Sequence, residues 1–366
     1  MDMTLFYIIG SFIISVVCGF FIIPQINSFC QKRDLFDIPN SRKVHKNAIP
    51  RLGGISFMPS MLLAFLLAIL VFQSVTGEEK ITLSQWSLTF FISLLLIYGV
   101  GFIDDLIGLD ATKKFLVQII AASLLPISGL YINNLYGFLG IYEVPMWIGM
   151  PLTVFTIVFI DNAINLIDGI DGLSASLTFL SLGGFLFCFY REDLGIYCMM
   201  IAALMGVLIP YLYYNIWGDP EKGQKIFMGD SGSLTLGFVL GFLAIKFAMD
   251  NPNVKPFQSD SLLLAYTLLI VPVFDVVRLI FFRWRKHQGI FQPDKNHIHH
   301  KLMAIGLSQH KALIVILTLA LLFAAVNFPM YYLMGIHTTI IVITDIVIYT
   351  IFHLYLDMRK KAMKAS

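Results

Sequence analysis

The stretch Asn162-Ala163-Ile164-Asn165-Leu166-Ile167-Asp168-Gly169-Ile170-Asp171-Gly172-Leu173 decides how the chain is read. An apolar run over roughly 147–160 leads into it, and another over roughly 173–190 starts directly after it. With its flanks, each run is long enough to cross a bilayer. Between them stand carboxylates and amides around two glycines, with no Lys or Arg in the turn. Carboxylates at a membrane boundary cost free energy and are seldom kept for packing alone. The glycines allow a tight turn, and the start of the next helix offers free N–H groups to an anion. The plain alternative is a helix–turn–helix connector in which Asp and Asn act as caps. A phosphate-and-metal site is favoured because further polar clusters fall on the same membrane side.

Working outward, the 366 residues are 58% hydrophobic and only 13% charged, with mean hydropathy +0.80. A soluble domain is nearer about half apolar and about a quarter charged. The expected fold is therefore all-α, a polytopic integral membrane protein forming one transmembrane domain over 1–366. Apolar stretches near 20 residues suggest about 11 transmembrane helices, at approximately 4–26, 53–73, 85–103, 114–132, 147–165, 173–190, 195–214, 232–249, 261–281, 312–332 and 337–356. Met1-Asp2-Met3 offers no basic region and no cleavage site, so the first span reads as an uncleaved helix. Cys18, Cys30, Cys188 and Cys198 lie in or beside apolar runs without a C-x-x-C pair and read as small core residues.

Of the 25 Lys and Arg residues, twenty fall in one set of loops, while the alternate loops hold Lys80, Arg191 and Lys255. This asymmetry places the N-terminus outside and the C-terminus in the cytoplasm. Five polar clusters then share the cytoplasmic side: Arg42-Lys43-Val44-His45 with Pro50-Arg51-Leu52-Gly53-Gly54, Asp104-Asp105 with Lys113-Lys114, the opening turn, Phe227 to Ser233, and His297-Ile298-His299-His300. Packing gives no reason for five loops to choose one side, so the site is expected to be built by cytoplasmic loops.

Asp104 and Asp105 end an otherwise apolar helix. Neighbours on a helix point about 100° apart, so the two cannot do the same job. One can face substrate or metal while the other accepts a Lys or a backbone donor. Lys114 can hold a phosphate, or snorkel to the interface as Lys113 is expected to do. Asp230 begins a span, and an anionic oxygen there suits Mg²⁺, which takes one or two carboxylates plus phosphate and water. Ser231 and Ser233 read as caps. Phe227 can stack on a base, or serve as an ordinary interfacial aromatic. The histidines at i, i+2, i+3 do not share one helical face, and zinc-type ligand spacing is missing. Donors to a diphosphate fit them better. Asp275 and Arg278 inside the ninth span are spaced to pair, and Asp345 in the last span has no evident partner.

Gly-Phe-Ile-Asp-Asp (101–105), the opening motif (162–173), Phe-Met-Gly-Asp-Ser-Gly-Ser-Leu (227–234) and His-Ile-His-His-Lys-Leu (297–302), taken in order, resemble the polyprenyl-phosphate N-acetylhexosamine-1-phosphate transferases. The likeness extends over 42–45 and 50–54, and so over most of the chain. It implies attack of a membrane polyprenyl phosphate, such as undecaprenyl phosphate, on the β-phosphate of a UDP-N-acetylhexosamine, with release of UMP. It implies Mg²⁺, with Mn²⁺ as the alternative ion, at Asp230 with help from Asn165. Asp104 and Asp105 match the carboxylates of which one is often proposed as a base, Lys114 a phosphate contact, Phe227 a base-stacking ring and Asp171 a uridine contact. His297, His299 and His300 match the loop that shapes the nucleotide-sugar pocket. Asp168, Arg51 and His45 are read as further substrate-binding residues.

A phosphate monoester is already largely ionised near neutral pH, so a base, a positioning role and a covalent aspartyl-phosphate route all stay open for Asp104 and Asp105. The segment 292–307 resembles the branch that uses UDP-N-acetylglucosamine, in the first membrane step of a teichoic-acid, enterobacterial-antigen or lipopolysaccharide O-antigen type polymer. The expected location is the bacterial cytoplasmic membrane, with no nucleic-acid partner and with a homodimer allowed. The competing class is a secondary transporter using Lys246, Asp275 and Asp345, although transporters place their sites near the midplane.

Overall fold

The computed structural model describes residues 3–37, 48–76, 84–251, 257–287, 289 and 296–365. Among the described residues there are twelve α-helices: α1 (Met3–Lys32), α2 (Phe57–Thr76), α3 (Gln85–Ile107), α4 (Ala111–Ile127), α5 (Met146–Ile167), α6 (Leu173–Arg191), α7 (Gly195–Leu212), α8 (Asp230–Ala248), α9 (Ser261–Arg285), α10 (Ile298–Ala304), α11 (Gln309–Tyr332) and α12 (Thr338–Ala365). Among the described residues, ten of these are long and apolar enough to cross a membrane. The fold is an all-α polytopic membrane protein. The span expected at 114–132 is α4, whose 17 residues begin with Ala111-Thr112-Lys113-Lys114. Its polar first turn leaves it shorter in apolar length than its neighbours. The helix α10 sits in a stretch for which the hydropathy pattern offers no span.

The centre of the bundle is α8, in which every residue from Ser231 to Ala248 is buried. Lipid tails are as apolar as the side chains, so helices in a bilayer associate through close packing rather than exclusion from water. The small residues of α8 provide that fit. A Cβ at Gly237 would stand 2.6 Å from the Asp161 Cα of α5, and one at Gly241 would stand 3.3 Å from that of Ile157. On another flank Gly101 of α3 is as tight, since its Cβ would meet Ser231 Cα at 2.7 Å. Higher up, Phe90 of α3 stacks on Phe238 and packs at a tilt on Phe242, with ring centroids 6.2 and 4.1 Å apart. Large apolar side chains that face outward, such as Phe21, Phe155, Phe281 and Ile351, lie on the outer helices.

This packing places the N-terminus of α8 on the bundle axis at the level of four connections. A two-residue strand pair, β1 (Phe36–Asp37) with β2 (Ile49–Pro50), runs antiparallel with Phe36 opposite Pro50. The chain before α8 then joins it. Phe227 N–H donates to the Pro50 carbonyl at 2.7 Å, and Gly53 and Gly54 N–H donate to the carbonyls of Phe227 and Met228 at 2.8 Å. The 50–54 and 227–229 segments are thus one backbone-bonded layer across the foot of α8.

Candidate active site

Asp105 builds the site from below. Its carboxylate is nearly buried and accepts the N–H groups of Asp230 at 2.8 Å and Ser231 at 2.9 Å. It therefore caps α8 from another helix, where free N–H groups and the helix dipole favour an anion. Gly229 makes room for this, with φ +75°. A Cβ there would lie 2.2 Å from the Arg51 carbonyl oxygen and 2.5 Å from an Asp105 carboxylate oxygen. Any side chain would displace the cap.

Asp104, one residue earlier, points elsewhere. Its Oδ1 accepts the Leu109 N–H at 2.5 Å and its Oδ2 accepts from Lys114 Nζ at 2.9 Å. The same ammonium donates to Asp230 Oδ2 at 2.6 Å. The short link between α3 and α4 brings Lys114 back beside Asp104, so one cation bridges carboxylates from α3 and α8. Asp230 Oδ1 receives the Asn165 amide at 3.1 Å, and that amide also donates to Ser233 Oγ at 2.8 Å.

The turn after α5 forms the opposite wall. Asp171 Oδ2 accepts from Lys225 Nζ at 2.9 Å, and Lys225 also donates to the Asn215 carbonyl at 2.8 Å. Asn215 locks the two loops together: its Oδ1 accepts the Gly172 N–H at 2.6 Å, and its amide donates to the Ile226 carbonyl at 2.8 Å. Gly172 holds φ +72° at the start of α6, a conformation that side chains resist. Asp168 lies outside the membrane-spanning helix. Burial, reinforced by Asp230, Asp171 and Asp105, pushes its carboxyl up to about 7.

These parts enclose a cavity of about 410 Å³ whose wall includes Arg51, Asp104, Asp105, Asn165, Asp168, Asp171, Phe227, Asp230 and His300. These named residues come from five separate stretches of chain that meet at one end of the bundle. Lys114 joins them through its ion pairs. The three histidines divide. His300 faces the cavity. His299 is buried at 1% exposure and packs on Gly169, where a Cβ would stand 2.2 Å from its Nε2. Burial, together with His300 and His297, holds its ring down to about 3, so it is neutral. His297 turns to α9, with Nδ1 2.8 Å from Asp275 Oδ2. His45, the 42–45 motif and 292–295 lie outside the described residues.

Residues matching the family described as glycosyl transferase family 4 run from 86 to 248, which takes in Asp104, Lys114, the 162–173 motif and Asp230. A Bacillus subtilis protein described as a probable undecaprenyl-phosphate N-acetylglucosaminyl 1-phosphate transferase is 30% identical over 332 residues, covering 88% of this chain and 85% of the relative. The undecaprenyl-phosphate alpha-N-acetylglucosaminyl 1-phosphate transferases of Yersinia pestis and Escherichia coli K12 are 29% and 28% identical, each covering 81% of this chain and 77% of the relative.

The chain belongs to the polyprenyl-phosphate N-acetylhexosamine-1-phosphate transferases. It is an enzyme, a glycosyl-1-phosphate transferase with its polar cavity at one end of a membrane-spanning bundle. The groups on which a transporter would depend are otherwise engaged. Lys246 Nζ lies 3.8 Å from the Trp86 ring centroid, Asp275 is held by Arg278 and His297, and Asp345 accepts from Tyr266 and Asn327.

The transferase cavity also holds residues that motif reading passed over. Asp37, Tyr211, Asn215 and Gln309 line it, and Lys225 anchors Asp171 from outside the wall. Lys225 does precede Phe227 within a polar loop. Asn215, at the π-helical end of α7, carries no local signal beyond an amide following an apolar run.

The donor chemistry suits a hard divalent cation. Asp37, Asp104, Asp105, Asp168, Asp171 and Asp230 line the cavity with Arg51, while Lys114 and Lys225 are each spent on carboxylates. Negative charge is in surplus. Among the described residues no three His, Cys, Asp or Glu side chains converge as a closed metal site. That is compatible with Mg²⁺, which commonly takes one or two carboxylates and draws its remaining ligands from phosphate and water.

Proposed function

We propose that the enzyme transfers N-acetylglucosamine 1-phosphate from UDP-N-acetylglucosamine to undecaprenyl phosphate, releasing UMP, on the cytoplasmic side of the bacterial inner membrane. The observation that carries this reading is the Lys114 bridge between Asp104 and Asp230, opposite the Asp168–Asp171 turn. It puts one cation and surplus carboxylates where two anionic reactants have to meet. The loop charges, strongly basic on the side of the cavity, support the cytoplasmic orientation.

Each side chain has a task in this reading. Asp230 is the residue that would hold Mg²⁺, with the Asn165 amide oxygen as a further ligand, and Asp168 binds substrate. The bound ion supplies neutralisation of phosphoryl oxygens, as metals do in phosphoryl transfer generally. Lys114 contacts phosphate, replacing one of its carboxylate partners. Asp171, steadied by Lys225, takes a uridine N–H. Phe227 offers a ring to the base, and Arg51 and His300 donate to the diphosphate or sugar. The lipid phosphate oxygen forms the new bond to the β-phosphorus as the bond to the bridging oxygen breaks, and UMP carries away that electron pair.

Of the adjacent aspartates, Asp104 is the one assigned to the reactants. Asp105 has both oxygens committed to the foot of α8 and serves to place Asp230. The test is UMP release by the purified enzyme with undecaprenyl phosphate and a panel of UDP-sugars. UDP-N-acetylglucosamine should exceed UDP-MurNAc-pentapeptide by a wide margin. A preference for the pentapeptide donor would overturn the sugar assignment, and no UMP from any donor would overturn the reaction.

A further inference from the structure

Asp275 and Arg278 lie inside α9, away from the carboxylates of the cavity wall. Their pairing alone would explain them as a neutralised charge in a membrane helix. Arg278 Nη2 does donate to Asp275 Oδ1, at 3.1 Å. The carboxylate, fully buried, also reaches out of its helix. Asp275 Oδ2 is 2.8 Å from His297 Nδ1, and Oδ1 accepts the Ile298 N–H at 3.0 Å. Arg278 Nη2 in turn donates to the Asn296 carbonyl at 2.5 Å. One ion pair thus grips three consecutive residues, Asn296 and His297 before α10 and Ile298 at its start.

That grip matters because α10 has little of its own to hold it. It has seven residues, and its cap residue His297 makes no side-chain cap hydrogen bond. A helix this short is not stable alone in water. Asp275 supplies the missing cap from α9, as Asp105 does for α8. The contact is relayed onward: the His297 and His299 rings stack at 5.7 Å with an 11° interplanar angle. His299 rests on Gly169, and His300 reaches the cavity. Buried ion pairs cost desolvation energy that their mutual attraction often does no more than offset. Stability alone is therefore a poor account of this one.

We propose that Asp275 is a positioning residue for the transfer reaction. Anchored in α9, it fixes the start of α10 and so holds His300 against the Asp168–Asp171 turn. The inference rests on the reading of the cavity as a nucleotide-sugar site. Asp104, Lys114 and Asp230 belong to α3, α4 and α8 and keep their geometry when α10 loosens, so donor binding suffers more than the chemical step.

The experiment is a double-mutant cycle on the purified enzyme with Asp275→Asn, His300→Gln and both together, and Asp345→Asn as a buried-carboxylate control. Asp275→Asn should raise the KM for UDP-N-acetylglucosamine about tenfold with kcat within about threefold of wild type. The double variant should match the worse single variant within about twofold, because both changes act through one contact. Asp345→Asn should leave KM unchanged. An unchanged KM for Asp275→Asn, or KM effects that multiply in the double variant, would overturn the proposal. If Asp275→Asn does not accumulate, His297→Gln takes its place in the cycle with the same two decisive outcomes, since it breaks the anchor from outside the membrane-spanning helix. Hydrogen exchange across 297–304 separates this proposal from the choice of donor. Loss of protection there in the anchor variant supports positioning whatever the substrate, and unchanged protection sinks it. Absence of UMP release in wild type would instead count against the functional reading.

Discussion

Asp230 and Asp345 make an instructive pair. Each is a carboxylate packed among helices, and each accepts an amide from an asparagine of a neighbouring helix, Asn165 at 3.1 Å and Asn327 at 2.9 Å. Their remaining partners differ. Asp345 takes the Tyr266 hydroxyl at 3.0 Å and is 1% exposed, so neutral donors complete it. Asp230 takes a lysine that it shares with Asp104, at a helix start that opens on a cavity rich in carboxylates. A carboxylate satisfied by neutral groups in a closed seam has nothing left for a ligand. A carboxylate in a region of uncompensated negative charge does.

The comparison breaks first, and hardest, at Lys114. Lys114→Gln removes the cation between Asp104 and Asp230 and should lower UMP release by about 10²–10³ at saturating substrates, the scale of losing one electrostatic stabiliser. A loss below tenfold would show that the bridge is structural. A smaller effect is expected at the clamp behind the nucleotide wall. Asn215→Ala strips the Gly172 N–H and the Ile226 carbonyl of their partners, and should raise the donor KM about tenfold with kcat less affected. Smaller again is Asp345→Asn, where turnover should stay within about twofold of wild type by the comparison with Asp230. A severe loss there would erase the contrast between the two regions.

Much of the architecture was legible because a bilayer demands long apolar runs, and those runs mark α2, α3, α5–α9 and α11 within about four residues and the starts of α1 and α12, whose polar C-terminal ends run on past the apolar signal to Lys32 and Ala365. The site was legible in composition and obscure in geometry. Asp105 and Asp230 are far apart in sequence, and nothing local says that one caps the helix of the other. Asp104 and Asp105 could be separated in role by helical geometry, but which of them was committed to backbone donors required the position of α8. The histidine motif read as diphosphate donors that do not share one helical face. Its division into anchor, wedge and cavity residue depends on Asp275 and Gly169, which lie on α9 and in the turn after α5. For α4 the apolar signal overran the helix, since the residues after Ile127 continue apolar while the backbone turns at Ser128 and Gly129. Asp345 found its partners across α9 and α11, a contact that no periodicity within α12 announces.

The least of the expected effects concerns acid stability. His299 is buried neutral with its ring held down to about 3, whereas an unfolded histidine titrates near about 6.5. Below the unfolded value, the unfolded chain binds a proton that the folded chain refuses, so stability falls as pH drops from that value toward 3. Above it His299 contributes no pH dependence. The thermal midpoint in detergent should therefore decline from pH 7 to pH 5, with a shallower slope in His299→Gln. Equal slopes would place the acid sensitivity in other groups.

The central claim is that Asp230 carries the metal-dependent charge of the transfer site, in the way that Asp345 does not. Its most direct test is UMP release against Mg²⁺ concentration for wild type, Asp230→Asn and Asp345→Asn. Asparagine keeps the size of the side chain and one acceptor oxygen, but loses the negative charge that a hard divalent cation requires. The Asp230→Asn protein should accumulate in the membrane, release UMP about 10²–10³ more slowly, and need much more Mg²⁺ for half-maximal rate. The Asp345→Asn curve should overlay wild type. A near-normal rate with an unchanged Mg²⁺ midpoint in Asp230→Asn would contradict the account and put the metal elsewhere.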